Sequence, residues 1–245
     1  KRILIHMGMI LSLFATGALQ AQEKQVLVYT FTGEGFVHKN IAASVAALEV
    51  LARDMHVDME VTDDPAFFEG SLEQYDVIVF SNTNAEAFLN DRQRENFRRF
   101  IESGGGFMGI HGASTSEPGW EWYVEMLGGS FVRHPEYQSF EVKVMDPHHM
   151  STAHLSDPWH WEDECYYHRN LNPGIHVLLA ADLATVSDDP GKLQGESING
   201  ELPLAWCHTF GKSRVFYTAL GHSIAHYGDP AFRQHLAGGL YWVME

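Results

Sequence analysis

The sequence predicts an α/β fold built on a doubly wound, mainly parallel sheet. Short, uniformly apolar runs rich in β-branched residues alternate with segments whose apolar residues recur at helical spacing. The runs are apolar on both faces, as expected for strands covered on both sides rather than wetted on one. Capping residues mark where the helical segments start and stop.

The elements follow in order. Lys1 and Arg2 precede the apolar stretch "ILIHMGMILSLFATGAL", which closes on Ala18-Leu19-Gln20-Ala21. A basic start, a short apolar run and small residues at the end predict a signal peptide over 1–21 and an exported protein. Residues 22–245 then predict a single domain with no membrane span. "QVLVYT" (25–30) is the first strand, and the loop "FTGEGFVHKN" follows it. Ile41, Val45, Leu48 and Leu51 share one face of a helix. "VDMEVT" (57–62) and "YDVIVFSNT" (75–83) are the next strands. Asn90-Asp91 caps "RQRENFRRFIES", which Gly104 ends, and "GFMGIH" is the fourth strand. A helix is predicted over 118–128 and a strand at "SFEVKVMD". Residues 146–170 are polar, dense in His and Trp and without clear period, which predicts a long functional loop or insertion. "GIHVLLAAD" is a strand, and "LPLAWCHTF-GKS-RVFYTALGH" is a hairpin. Asp229 and Pro230 open a C-terminal helix.

Composition narrows the partners. The chain carries 16 basic and 32 acidic residues, a formal net charge of −16. The predicted leader holds two of the basic residues and no acidic one, so the remainder is more acidic still. Such a surface argues against nucleic acid and anionic membranes. It suits a neutral small molecule or a bound cation. Cys165 and Cys207, far apart in sequence, do not make a disulfide framework and read as ordinary buried thiols. The 15 histidines nearly equal all Lys and Arg together, and histidine is both a metal ligand and an acid/base near neutral pH.

In a parallel sheet, ligands bind beyond the carboxyl ends of the strands. His38 follows the first strand, His111 ends the fourth, and His222 ends the late hairpin. Each alone reads equally as a packed structural histidine; three strand ends sending imidazoles to one crevice is not a packing requirement. His134 follows a Gly-Gly turn. Asp163-Glu164 reads as a solvated acidic loop or as site carboxylates. Imidazoles with a carboxylate suit a divalent metal such as zinc, with His38, His111 and His222 as candidate ligands. No local metal motif such as H-E-x-x-H is present. Trp161, Tyr166 and the neighbouring aromatics are what sugar rings stack on, or core packing. No G-x-G-x-x-G loop follows the first strand, so no nucleotide cofactor is expected.

"GEGFVHKN", "GGGFMGIHGAS", "GGSFVRHP", "DECYYH" and "LPLAWCHTFGKSRVFYTALGH", occurring in that order, resemble the trehalose-utilisation (ThuA-like) family over essentially all of 22–245. The resemblance implies a class I glutamine amidotransferase-like scaffold, a flavodoxin-like three-layer sandwich. That superfamily carries its cysteine nucleophile in a G-x-C-x-G elbow. Here the matching string is Gly109-Ile110-His111-Gly112-Ala113, with His111 where the cysteine belongs. Without a thiolate the acyl-enzyme route is closed, so glutamine hydrolysis is not expected. His222 matches the strand end of the superfamily's catalytic histidine. The family implies action on trehalose-like disaccharides and glycosides, or their 3-keto forms. His111, His222 and Glu164 then stand as catalytic candidates, and His38, His134, Trp161 and Tyr166 as carbohydrate-binding ones. The competing expectation is a sugar-binding or accessory protein without catalysis.

Overall fold

The computed structural model describes residues 24–192 and 194–245. The predicted signal peptide lies outside them. Eleven strands and four α-helices alternate in the order β1 (Gln25–Tyr29), α1 (Ile41–Met55), β2 (Asp58–Thr62), β3 (Val77–Ser81), α2 (Asp91–Ser103), β4 (Gly106–Ile110), α3 (Glu121–Leu127), β5 (Ser130–Arg133), β6 (Gln138–Val144), β7 (Trp159–Asp163), β8 (Tyr167–Arg169), β9 (His176–Ala181), β10 (Leu202–Phe210), β11 (Ser213–Thr218) and α4 (Pro230–Met244).

Nine strands form one sheet in the order β2-β1-β3-β4-β11-β10-β9-β6-β7, and β5 pairs with β8 separately. The sheet is mixed rather than mainly parallel. From β2 to β11 all neighbours run parallel. From β11 to β7 all run antiparallel. The tight turn of the β10–β11 hairpin reverses the chain where a crossover helix would have kept it parallel.

Helices cover both faces. Along β11, Phe216 meets His235 of α4, while Tyr217, its neighbour on the opposite face, packs against Trp206. In β4, a Cβ at Gly109 would stand 3.1 Å from Leu127 of α3, and one at Gly106, on the other face, 2.2 Å from the Val243 carbonyl of α4. These strands have no room for side chains there, because the helix layers press directly on the sheet. On the α2/α3 side the core is aromatic: Phe80, Phe97, Phe107 and Tyr123 are fully buried against one another. The predicted caps form. Asn90 Oδ1 accepts from Gln93 N–H at 3.1 Å, Gly104 closes α2 at φ 111°, and Asp229 Oδ1 accepts from Phe232 N–H at 2.9 Å.

The predicted long loop over 146–170 is corrected: it contains β7 and β8. Burial alternates along "WHWED", with Trp159, Trp161 and Asp163 inward. The two-residue period was masked because one inward position is a carboxylate. Among the described residues, no helix is long and apolar enough to cross a membrane.

Candidate active site at the carboxyl ends of the parallel strands

β4 stops at Ile110, and His111 takes the left-handed region at φ 47° at the start of a short 3₁₀ turn, His111–Thr115. A non-glycine residue there is strained and is held by its surroundings. Gly112 permits the turn, since a Cβ would come 2.8 Å from the Thr83 carbonyl and 3.1 Å from the His38 ring. His111 is fully buried. Its Nδ1–H donates to the Ala219 carbonyl at 2.7 Å, which fixes the tautomer and leaves the Nε2 lone pair facing inward.

Three groups converge on that lone pair. The Tyr166 hydroxyl donates to His111 Nε2 at 2.8 Å, His222 Nδ1 lies 3.3 Å away, and Glu164 Oε2 lies 3.6 Å away. Glu164 Oε2 is also 3.1 Å from His222 Nδ1, and its Oε1 is 3.5 Å from His134 Nε2. His38 approaches from the loop after β1, its ring 4.9 Å from His111 and 5.7 Å from His222. One nitrogen each of His38, His111 and His222 fall within 4.8 Å of one another. Phe36, Phe131, Thr115 and Asn84, with His38, His134, Glu164, Tyr166 and His222, line a cavity of about 200 Å³; the fully buried His111 is not among its lining residues.

The electrostatics divide the histidines. Burial holds His111 well below the usual imidazole range, helped by repulsion from His38. Burial likewise lowers His38 to about 4, with repulsion from His222 adding to it. His222 goes the other way, because its hydrogen bond to Glu164 outweighs its burial. Burial alone would raise Glu164, but the hydrogen bond from His222 and the charges of His134, His222 and His38 hold it below the ordinary carboxylate range. The crevice thus sets two imidazoles held toward their neutral form beside a His222–Glu164 pair in which each partner favours the charged form of the other.

Asp163 went unassigned in the sequence. It is fully buried and accepts four N–H groups: Gly221 at 2.8 Å, His222 at 3.3 Å, Glu164 at 2.9 Å and the Trp161 indole at 3.0 Å. One carboxylate therefore ties the end of β11 to the end of β7 and sets His222 against Glu164. Beneath it, Asn40 donates to Asn82 at 3.0 Å and to the Gly221 carbonyl at 2.5 Å. The Asp163-Glu164 pair is thus not a solvated loop. Trp161 does not line the cavity; it packs on Trp159, His226 and Phe232 and orients Asp163. Cys165 and Cys207 are buried free thiols, pushed up to about 12 chiefly by burial, and neither lines the cavity.

Comparison with known proteins places this geometry in context. The family profile described as trehalose utilisation, ThuA, matches residues 25–243. No curated protein matches the chain. Among solved structures, a ThuA-like protein of Bacteroides uniformis ATCC 8492 is 21% identical, covers 93% of this chain and 94% of its own, and superposes with a TM-score of 0.70. A ThuA-like protein of Parabacteroides merdae ATCC 43184 is 19% identical over 91% of this chain and 90% of its own, with a TM-score of 0.73. A β-galactosidase of Rahnella sp. R3 is 15% identical over 89% of this chain, a match to 31% of the enzyme, with a TM-score of 0.57. At these identities the likeness speaks to the fold alone.

Proposed function

The chain belongs to the ThuA trehalose-utilisation family, and from that premise we propose that it is an exported carbohydrate-active enzyme acting on glycosides or disaccharides, or on their 3-keto derivatives. The scaffold is read as the flavodoxin-like, amidotransferase-type sandwich with its nucleophile exchanged for an imidazole. The observation that carries the reading is the site itself: His111 stands at the strained elbow with its unprotonated Nε2 accepting the Tyr166 hydroxyl and turned toward His222 and Glu164.

A carbonyl on a sugar ring acidifies the neighbouring C–H, and such a site suits its removal. A neutral imidazole or Glu164 can accept that proton, and Tyr166, whose hydroxyl already donates inward, can donate to the oxygen that gains charge. A cavity of about 200 Å³ falls below the range that holds drug-sized ligands and suits one sugar ring, with a second ring at the mouth. His38, His134 and Tyr166 line it and would bind sugar hydroxyls.

The donor set fits a divalent cation such as zinc. The Ala219 carbonyl fixes the His111 tautomer so that its lone pair points at the cluster, as an outer partner does for a metal-binding histidine. The ion would sit among His38, His111, His222 and Glu164, whose donor atoms cluster there. When bound, it supplies Lewis-acid stabilisation of a developing enediolate oxygen.

The test is direct. Protein purified without chelator is subjected to elemental analysis, then incubated with 3-keto-glucosides and parent glycosides, with calorimetry alongside. Product formation that depends on His111 is expected. Sugar binding with no product would replace this reading with a binding or accessory role.

A further inference from the structure

Four residues are close enough to be considered around one cation, but their geometry is unequal. Bonds of about 2.0–2.2 Å at tetrahedral or octahedral angles place neighbouring donor atoms roughly 2.8–3.6 Å apart. His111 Nε2, His222 Nδ1 and Glu164 Oε2 form a triangle with edges of 3.3, 3.1 and 3.6 Å. Those are the separations of three donors on one face of a coordination shell. Each corner is also held from behind. The Ala219 carbonyl orients His111, Asp163 accepts the main-chain N–H of both His222 and Glu164, and His134 faces the second oxygen of Glu164.

His38 differs in kind. Among the described residues its ring makes no hydrogen bond or ion pair, and its Nδ1 is buried without a partner. Its ring contacts are edge-on, to Phe36 at 4.9 Å and to the two crevice histidines. No carbonyl or carboxylate orients it, as one orients His111. It does line the cavity.

We propose that His111, His222 and Glu164 form a two-imidazole, one-carboxylate face that binds a single divalent cation, while His38 stays off the cation and accepts the substrate proton. Such a face leaves positions open for substrate oxygens or water. The proton step balances without a redox partner. The C–H bond beside the carbonyl breaks, its proton goes to an imidazole nitrogen of His38, and its electron pair moves into the carbonyl to give the enediolate. The role of His38 rests on the functional reading above; the ligand set does not.

The experiment titrates the metal-free full-length protein with Co²⁺, following heat and the visible d–d bands, in the wild type and in His38→Ala, His38→Asn, His111→Ala, His222→Ala and Glu164→Gln. Circular dichroism reports folding of each. Expected is Co²⁺ affinity within about threefold of wild type for both His38 variants, and at least about a 100-fold loss for Glu164→Gln, His111→Ala and His222→Ala. The His38 variants should also lose about 100-fold or more in exchange of the substrate C–H for deuterium. Retained affinity in Glu164→Gln, or a loss in the His38 variants matching that of His111→Ala, overturns the assignment in favour of three imidazoles. A wild type that binds no Co²⁺ overturns it together with the metal reading. A wild type that binds Co²⁺ but exchanges no 3-keto-sugar proton overturns the role of His38 and the functional reading, while the titration still decides the ligand set.

Discussion

His111 and His235 are both fully buried, both held neutral by that burial, and both anchored to adjacent residues at the end of β11. They differ in what their second nitrogen meets. His235 donates Nδ1–H to the Ser151 carbonyl at 2.9 Å and accepts the Thr218 hydroxyl on Nε2 at 3.1 Å, so both nitrogens end on fixed partners. His111 donates Nδ1–H to the Ala219 carbonyl but turns Nε2 toward a tyrosine, a histidine and a carboxylate. Burial and a depressed pKa therefore do not distinguish a working histidine from a structural one. What gathers around the second nitrogen does. Both rings accept a hydroxyl there, but only His111 Nε2 also has an imidazole at 3.3 Å and a carboxylate at 3.6 Å, which is what makes it the candidate.

The strongest way to break that contrast is to truncate each ring. His111→Ala should lower turnover by about a thousandfold or more while the protein still unfolds cooperatively. His235→Ala strands a carbonyl and a hydroxyl in the core, and should cost about 2–4 kcal/mol of stability. Its kcat/KM per folded molecule should stay within a few-fold of wild type. Steady-state kinetics beside urea unfolding reads both. Full activity in His111→Ala would erase the distinction.

This contrast also marks what the sequence could disclose. His111 and His222 were legible because each ends a run whose apolar pattern predicts a strand, and His38 because it lies in the loop after one; the carboxyl ends of parallel strands share one edge. The parallel half of the sheet was legible for the same reason. Asp163 was not, since its importance lies in four donors, two beside it in the chain and two from the distant Gly221-His222, and nothing local marks a carboxylate as buried. β7 was hidden by that same inward carboxylate. Trp161 was expected as a sugar platform from composition; its ring packs behind the carboxylate instead, a choice between two faces that residue type alone cannot make.

Acid should erode the fold in a way that both kinds of histidine share. His38 and His235 sit at about 4 and His168 at about 3, each lowered first by burial, with His111 also well below the usual range. Above the unfolded value near 6.5 none of them contributes. As pH falls below it, the unfolded chain takes up protons that the native state refuses, so stability drops progressively toward pH 4. The His222–Glu164 pair has the opposite sense. Its raised imidazole contributes fully below about 6.5 and fades as pH rises through the folded value; its lowered carboxylate contributes above about 4.5 and fades as pH falls through its own. The expected outcome of urea unfolding at pH 7.5, 6 and 5 is a net fall, with a slope of more than one proton. His235→Ala should reduce that slope, and a flat profile would contradict the neutral assignment of these rings.

A gentler probe of His111 Nε2 is Tyr166→Phe, which removes the hydroxyl donating to it and leaves the ring packed on Phe131 at 4.4 Å. Turnover should fall by about 10–100-fold, with stability changed by about 1 kcal/mol. An effect confined to KM would make Tyr166 a binding group and not a proton donor.

The smallest expected effect is none at all, and it tests the contrast from the side of the thiols. Cys165 lies between Glu164 and Tyr166 in sequence, yet it is fully buried in the core. Cys207 has one imidazole neighbour, His149 Nε2 at 3.9 Å, but burial holds that ring below its usual range, so it lends no charge to a thiolate. With both thiols pushed up to about 12, the thiolate fraction at pH 7.5 is roughly one part in 10⁴ or less, and it is the thiolate that reacts. Iodoacetamide should therefore leave native protein unlabelled and fully active, and label both cysteines once urea exposes them, as intact mass will show. Rapid inactivation with one label on either cysteine would restore a thiol nucleophile to this scaffold and take the elbow's chemistry away from His111.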